Sequence, residues 1–528
     1  MLLYDLISIL PNRILLNLTN CTMSLFRKKS LDVLMAQAGD SEKGLKRTLG
    51  AGNLIALGIG AIIGAGLFVR TAAAAGQHAG PAVTLSFIVA AIGCAFAGLC
   101  YAEFASMIPI AGSAYTYAYA TMGELIAWII GWALILEYAL GAATVSIAWS
   151  EFLNKLVGGS IPYEWSHSPF ERALDAANVM HTGIMNVPAL LILLMISALL
   201  IKGTQESAVV NAVIVIIKVA IVIVFIIIGW QFINPANHHP YLIPADAKPA
   251  IQPDGTEYSY ADTFRHGWGG VLTGAAVVFF AFIGFDAVST AAQEAKNPKK
   301  DMPIGILGSL VICTVLYILF SYVLTGVAPY TDFVKSGKEA SVAYAIETYM
   351  HGYGWLAKLV TVGILAGFSS VILVMLMGQS RVFYTMSTDG LLPKAFSELH
   401  PKFRTPYKSN IILFVFVGGF AGFIPGDVAG NLTSIGTLLA FILVCIGVII
   451  MRRNDPERIR PFKTPLVPLI PILGAIVCAA MIYSLDNRTL FTAFVWMIVG
   501  LVVYFSYSKV RSKLHNPSEI LPHASDFE

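Results

Sequence analysis

The sequence predicts an all-α polytopic membrane protein. It has twelve transmembrane helices in two inverted units of five, each opening on a broken helix, with two further helices at the C-terminal end. Three observations predict this. The 528-residue chain is 57% hydrophobic and only 12% charged, whereas a soluble domain averages about 25% charged. Twelve apolar stretches recur along the chain, most of them near the roughly 20 residues that cross a bilayer core. Two of these stretches, five spans apart, carry glycine interruptions.

Residues 1–50 read as a cytoplasmic N-terminal segment. Within them, residues 1–22 form an apolar run broken by Pro11 and Arg13, with no basic region ahead of it. That run is too short to span. It reads as an interfacial helix or as an upstream extension ahead of Met23. The twelve spans fall at about 52–75, 81–108, 124–154, 184–201, 206–230, 268–292, 303–327, 356–385, 409–424, 429–451, 466–485 and 489–508. Residues 51–230 therefore form the first five-helix unit, 231–267 an external loop, 268–451 the second unit, 452–508 helices 11 and 12, and 509–528 a cytoplasmic tail. With this division, 24 of the 34 Lys and Arg residues lie on the side of the N-terminus and 9 on the other, with Lys218 inside a span. The positive-inside rule then puts both termini in the cytoplasm. The longest loops, about 156–183, 231–267 and 328–355, all fall outside. Their composition predicts irregular cover over an external mouth, and the pair His238–His239 reads as solvated rather than metal-binding. None of the six cysteines forms a CxxC pattern, so neither a disulfide framework nor a zinc site is expected.

The first interruption, Gly58-Ile-Gly-Ala-Ile-Ile-Gly-Ala-Gly66, holds four glycines. Each costs a helix interior about 1 kcal/mol relative to alanine. The second is Phe282-Ile-Gly-Phe-Asp286. Unwound backbone at bilayer depth is tolerated only where protein buries it or where it lines a cavity. Paired interruptions in two inverted halves point to a transport site near the midplane. Glycines that merely allow close helix packing are the alternative, and their occurrence at corresponding places in both units favours the transport reading. A half-helix N-terminus beyond the first break offers unpaired N–H groups, so Gly64, Ala65 and Gly66 are candidates to cradle a carboxylate. Carbonyls around Phe280, Ala281 and Ile283 are candidates to take an ammonium group. Together the two breaks would recognise the backbone of an α-amino acid, with Phe280 and Ile283 as an apolar wall and Gly284 giving the second break its freedom to hinge.

Ionisable residues inside spans are costly and point to function. Lys218 lies in VVNAVIVIIKVAIVIVFIIIG, with apolar residues for several turns on both sides. Burial disfavours a charged ammonium, so this lysine is a candidate carrier of a coupling proton. The alternative is a structural lysine bonded to carbonyls of the first span. Glu137, in LILEYALG, is a candidate pocket or proton-path residue. Asp286 is expected to support the second half of the broken sixth helix, because carboxylates favour helix N-termini. Glu103 and Glu294 complete the set.

Five segments together resemble the amino acid–polyamine–organocation (APC) transporter superfamily, and most closely the bacterial branch of its cationic amino acid transporter family. They are LKRTLGAGNLIALGIGAIIGAGLFV (45–69), AGSAYTYAYATMGE (111–124), GWALILEYALG (131–141), VVFFAFIGFDAVSTAAQEAKNPKKDMP (277–303) and GQSRVFYTMSTDGLLP (378–393). The resemblance implies the LeuT-like five-plus-five fold and amino acid transport by alternating access. It implies a carboxylate site at Ile62, Ile63, Gly64, Ala65 and Gly66, an amine site at Phe280 to Ile283, and proton coupling through Lys218. Ala65 stands where many relatives have a small hydroxyl residue, so carboxylate binding here leans on backbone.

The expected activity is proton-coupled symport of small neutral L-amino acids across a bacterial cytoplasmic membrane, because the eighth span is expected to turn Val371, Val374, Met375 and Leu376 to the pocket, and Met375 to shorten it. The rivals are transport of arginine or lysine, if Glu137 faces the ligand; exchange without proton coupling; and a transporter-like amino acid sensor. No HExxH, GxSxG or clustered His/Cys pattern supports an enzyme. No cofactor, metal or nucleic acid is expected. The expected partners are the substrate, the lipid bilayer and, as an open possibility, a small single-span peptide, with the protein itself a monomer.

Overall fold

The computed structural model describes residues 26–31, 34, 47–64, 66–174, 180–252, 256–335, 342–483 and 487–514. Ala65, the run over residues 1–22 and most of the expected C-terminal tail lie outside the described residues. The chain is mostly helical, because in hydrocarbon every backbone N–H and C=O must find its partner within the segment. Among the described residues, eight helices are long and apolar enough to cross a membrane, and four more are apolar but shorter. In chain order the twelve are α1 (Ala51–Ile62), α2 (Thr71–Met107), α3 (Glu124–Leu156), α4 (Val187–Lys202), α5 (Ser207–Phe232), α6 (Gly267–Glu294), α7 (Pro298–Val327), α8 (Gly354–Thr388), α9 (Tyr407–Phe423), α10 (Thr433–Asn454), α11 (Leu469–Tyr483) and α12 (Leu490–Arg511).

One boundary differs from the sequence reading. The first apolar stretch stops at Ile62, and its second half runs through Gly80-Pro81 into α2. Gly80 has φ +59°, a left-handed conformation that glycine adopts at little cost, and the chain turns here with the Ala82 N–H donating to the Tyr241 carbonyl at 3.1 Å. The loops at 156–183 and 231–267 also hold more order than expected. Arg172–Leu174 pairs antiparallel with Met180–Thr182, and Ala250–Ile251 with Glu257–Tyr258. Tyr260 donates to the Gly76 carbonyl at 2.8 Å and Tyr258 to the Gln77 carbonyl at 3.0 Å. The 231–267 loop thus closes over the turn that leads into α2.

The packing has a regular pattern. α2 packs on α7, α3 on α8, and α4 on α9. The second half of the α1 stretch packs against the 280–282 turn of α6. α5 lies against α7 and α8, and α10 against α2 and α3. Small residues allow these approaches, as they do generally between membrane helices. On α8, a Cβ at Gly363 would lie 2.8 Å from the Ile221 side chain, and one at Gly378 would lie 3.6 Å from the Tyr138 ring.

Ion pairs tie the ends of helices together. Arg381 Nε donates to Glu294 Oε1 at 2.8 Å with both side chains fully buried. Arg452 grips Glu103 with two bonds, 3.1 Å from Nε and 2.8 Å from Nη2. The entry to α1 is laced to the exit of α6, where the Thr48 and Leu49 N–H groups both donate to the Glu294 carbonyl at 2.9 Å. At the same end of the bundle, Lys29 pairs with Asp389, which also accepts from Tyr115 at 2.8 Å. Glu124 accepts from Tyr119 at 2.7 Å, from Tyr504 at 2.9 Å and from Ser512.

Candidate functional site

The two interruptions pack directly against each other, and glycine is required on both sides. A Cβ at Gly66 would run into the backbone and side chain of Ala281. A Cβ at Gly284 would lie 2.7 Å from the Ala61 side chain, and Gly284 has φ +107°. Each break therefore presents a glycine to an alanine of the other, a reciprocal contact that a bulkier residue on either side would push apart. Gly64 faces α8, where its Cβ would lie 2.6 Å from Val371.

The C-terminal end of α1 leaves its last carbonyls without helical partners, as any helix end does. Here side chains from three other helices supply them. Lys218 Nζ on α5 donates to the Gly60 carbonyl at 2.8 Å, the Ile63 carbonyl at 2.8 Å and Ser370 Oγ on α8 at 2.7 Å. An ammonium has three donors and no acceptor, so this geometry satisfies it fully. A cation at a helix C-terminus also complements the negative dipole end. No carboxylate is paired with Lys218 among the described residues. Ser370 Oγ is a hydrogen-bond partner of the Gly60 carbonyl as well, at 2.8 Å. Tyr317 on α7 has its hydroxyl 2.8 Å from the Ile62 carbonyl and 2.9 Å from the Ala281 carbonyl. Asn211 on α5 donates to the Ala56 carbonyl at 3.0 Å.

On the second break, α-helix runs from Gly267 to Phe279, gives way to a 3₁₀ turn at Phe280–Phe282, and resumes as 3₁₀ helix from Asp286. Phe280 is partly exposed and lies under Arg70, whose guanidinium carbon is 5.5 Å from the ring centroid. Ile283, by contrast, is buried. Asp286 is the first residue of the resumed segment, on the side a carboxylate prefers. Its Oδ2 accepts from the Tyr138 hydroxyl at 2.6 Å, while Oδ1 has no partner.

The structure brings Ile62, Ile63, Gly64, Gly66, Phe280, Ala281, Ile283 and Gly284 to one buried junction, with Lys218 behind it. Two further expected residues sit around one turn of α3, beside Asp286. Glu137 sits in a π-helical turn of α3 at Leu136–Leu140 and neighbours Asp286 and Thr437. Both of its carboxylate oxygens are buried with no hydrogen-bond partner, in a turn type that is frequent at functional sites. The Met375 sulfur packs on the same turn, 2.8 Å from where a Cβ on Gly141 would lie. The α8 residue facing the first break is Val371, one turn earlier. Sequence reasoning missed Tyr317 and Ser370. Their only signal is a lone hydroxyl in an apolar span, which serine and tyrosine supply at many positions without function.

The comparisons with known proteins fit this geometry. Residues 49–506 match the model of a family described as "Amino acid permease". The chain belongs to the APC superfamily, in its amino acid permease family. It is 43% identical over 495 residues to the branched-chain amino acid permease BcaP of Bacillus subtilis, covering 93% of this chain and 99% of that one. It is 41% identical over 495 residues to the methylthioribose transporter of the same organism, with the same coverage. Against the vacuolar cationic amino acid transporter 4 of Arabidopsis thaliana it is 34% identical over 439 residues, covering 83% of this chain and 68% of that one. This permease is thus a multi-pass membrane transporter and not an enzyme.

Proposed function

We propose that this permease is a proton-coupled symporter of small neutral L-amino acids, with its site where the two breaks meet. The observation that carries this reading is the reciprocal glycine contact between Gly66 and Ala281 and between Gly284 and Ala61. It brings a half-helix N-terminus and a set of unwound carbonyls to one buried point. The first suits a carboxylate and the second an ammonium. Gly64 and Gly66 hold the carboxylate, with Ala65 between them, and the turn from Phe280 to Ile283 holds the amine. The branched-chain relatives favour an apolar substrate side chain. Asp286, two residues after Gly284, is buried with its Oδ2 engaged by Tyr138, which disfavours its use for an arginine or lysine side chain.

In this reading all twelve helices cross the bilayer and the first ten form a five-plus-five inverted repeat. Its support is the packing of four of the first five spans against the span five places later, α1 on α6, α2 on α7, α3 on α8 and α4 on α9, as an inverted two-fold relation between the units would give. The segments at 26–31 and 504–514 both reach the 113–124 and 387–391 regions, as two termini on one cytoplasmic side would. The 24-to-9 charge bias gives that side its identity. Lys218 carries the coupling proton. In its charged form it holds the α1 end through Gly60, Ile63 and Ser370. A neutral amine has two N–H groups and a lone pair, so all three contacts survive discharge only if Ser370 turns its hydroxyl from the Gly60 carbonyl to donate to the amine; with the charge gone as well, the hold on the first break loosens.

Counterflow in proteoliposomes with a panel of amino acids and methylthioribose, followed by pH-jump uptake, tests this. Small neutral amino acids are expected to win the panel, and an inward proton gradient is expected to speed their uptake. Lys218→Met is expected to keep counterflow but lose the response to the gradient. A response that survives in Lys218→Met would remove Lys218 from the coupling step. Methylthioribose winning the panel would point to the specificity of that relative instead.

A further inference from the structure

Tyr317 stands between the two breaks with one proton for two acceptors. Its hydroxyl oxygen is 2.8 Å from the Ile62 carbonyl, the last of α1, and 2.9 Å from the Ala281 carbonyl in the turn of α6. A tyrosine hydroxyl has a single O–H to donate. With the junction empty, that proton is shared, and one carbonyl always faces an oxygen lone pair without a hydrogen between them. The ring is fixed from both sides, 5.3 Å from Phe87 and 5.3 Å from Phe282, and Tyr317 is fully buried. The hydroxyl therefore cannot swing away to water.

We propose that Tyr317 is a positioning residue that makes amine recognition at the sixth-span break tighten the first. This rests on the reading that the α6 turn receives the substrate ammonium. An ammonium arriving there has three N–H groups. One donates to the Ala281 carbonyl and a second to the Tyr317 hydroxyl oxygen. The hydroxyl proton is then committed to the Ile62 carbonyl, and both conflicts are relieved at once. The substrate amine thereby strengthens the bond that holds the end of α1, the element bearing the carboxylate site. A hydroxyl in the same place carries no charge and has one O–H, so it can serve the Ala281 carbonyl or the Tyr317 oxygen but not both. The device selects for α-amino acids against their 2-hydroxy acid analogues and links that selection to the hinge of the first span.

The test is competition in counterflow between the best neutral amino acid and its 2-hydroxy acid analogue, with wild type and Tyr317→Phe. Phenylalanine keeps the ring packing and removes only the hydroxyl. Wild type is expected to prefer the amino acid strongly. In Tyr317→Phe that preference is expected to shrink by about tenfold or more, which corresponds to about 1.4 kcal/mol, while inhibition by the hydroxy acid stays within about threefold of wild type, as the loss of one hydrogen bond to a charged group predicts. A purely packing role would weaken both ligands together and leave their ratio unchanged, which would overturn the proposal. A second arm needs no variant. On wild type, an N,N-dimethylated substrate has one N–H left and an N,N,N-trimethylated one has none. Affinity is expected to fall at each step, and equal affinity across the series would overturn the proposal. Failure of wild type to bind any amino acid would instead remove the underlying reading of the site.

Discussion

Gly66→Val is expected to abolish uptake while leaving the protein in the membrane. The side chain at this position would be driven into the backbone of Ala281, and neither partner has a flexible end that can yield. The second break cannot retreat, because its own glycine is held against Ala61 and the exit of α6 is tied to Leu49 by the Lys296 N–H to Leu49 carbonyl bond at 2.8 Å. The two half-helices must therefore separate, and the groups assigned to carboxylate and amine separate with them. Displacements of about 1 Å cost on the order of 100-fold in the rate of a positioned reaction, and a comparable or larger fall is expected in the rate of counterflow. The measurement is initial uptake per protein recovered in proteoliposomes. Gly64→Ala is the graded comparison. Its added methyl meets only the Val371 side chain, which can shift, so part of the activity is expected to remain. Full activity in Gly66→Val would mean that the breaks do not work in contact.

Arg381→Ala is expected to be the most destabilising single change in the bundle that spares the junction. Arg381 and Glu294 are both fully buried, and their link is incomplete: Arg381 Nη2 and Glu294 Oε2 have no partner, although Nη1 reaches Ser380 Oγ at 3.0 Å. Removing one member strands a charge where neither water nor lipid headgroups reach it, at a typical cost of about 3–5 kcal/mol. The double change Arg381→Met with Glu294→Leu removes both charges and is expected to recover most of that loss, because apolar replacements of similar volume are often neutral or stabilising. Thermal unfolding of the detergent-solubilised protein, for wild type, each single variant and the double variant, measures the coupling. If the single and double variants lose stability equally, the pair acts through packing and not through its charge.

Much of the architecture was legible because the bilayer imposes it. Residues such as Val213 to Ile228 on α5 have no choice of structure in hydrocarbon, so length and hydropathy alone mark the helix. The positions of the two breaks were legible for a related reason: four glycines between 58 and 66, and the Ile283-Gly284 pair, weaken a helix where nothing else in the span calls for it. The role of Lys218 was half legible. Its depth followed from the apolar run around it, and its contact with the carbonyls of the first span stood as one of two readings. Its bond to Ser370 did not, because nothing in α5 records which face of α8 lies opposite.

Glu137 and Met375 show where such reading stops. Their types and spans make Glu137 a candidate for the pocket or a proton path and Met375 a candidate for the pocket, and the structure puts both around the π turn of α3, Glu137 toward Asp286 and Met375 against Gly141. Helix rotation decides which residues point at the junction, and in a bundle apolar on nearly every face no amphipathic stripe marks that rotation. Tyr317 was invisible for the same reason. A tyrosine in an apolar span has many uses, and only the meeting of α1, α6 and α7 puts two carbonyls within reach of its hydroxyl. The sequence by itself determined that this chain is a helical membrane protein of the APC superfamily, interrupted at two related places. Local composition and backbone chemistry are enough for that. The tertiary structure alone decided which side chains satisfy the groups those interruptions free, because that depends on how helices far apart in sequence rotate and cross.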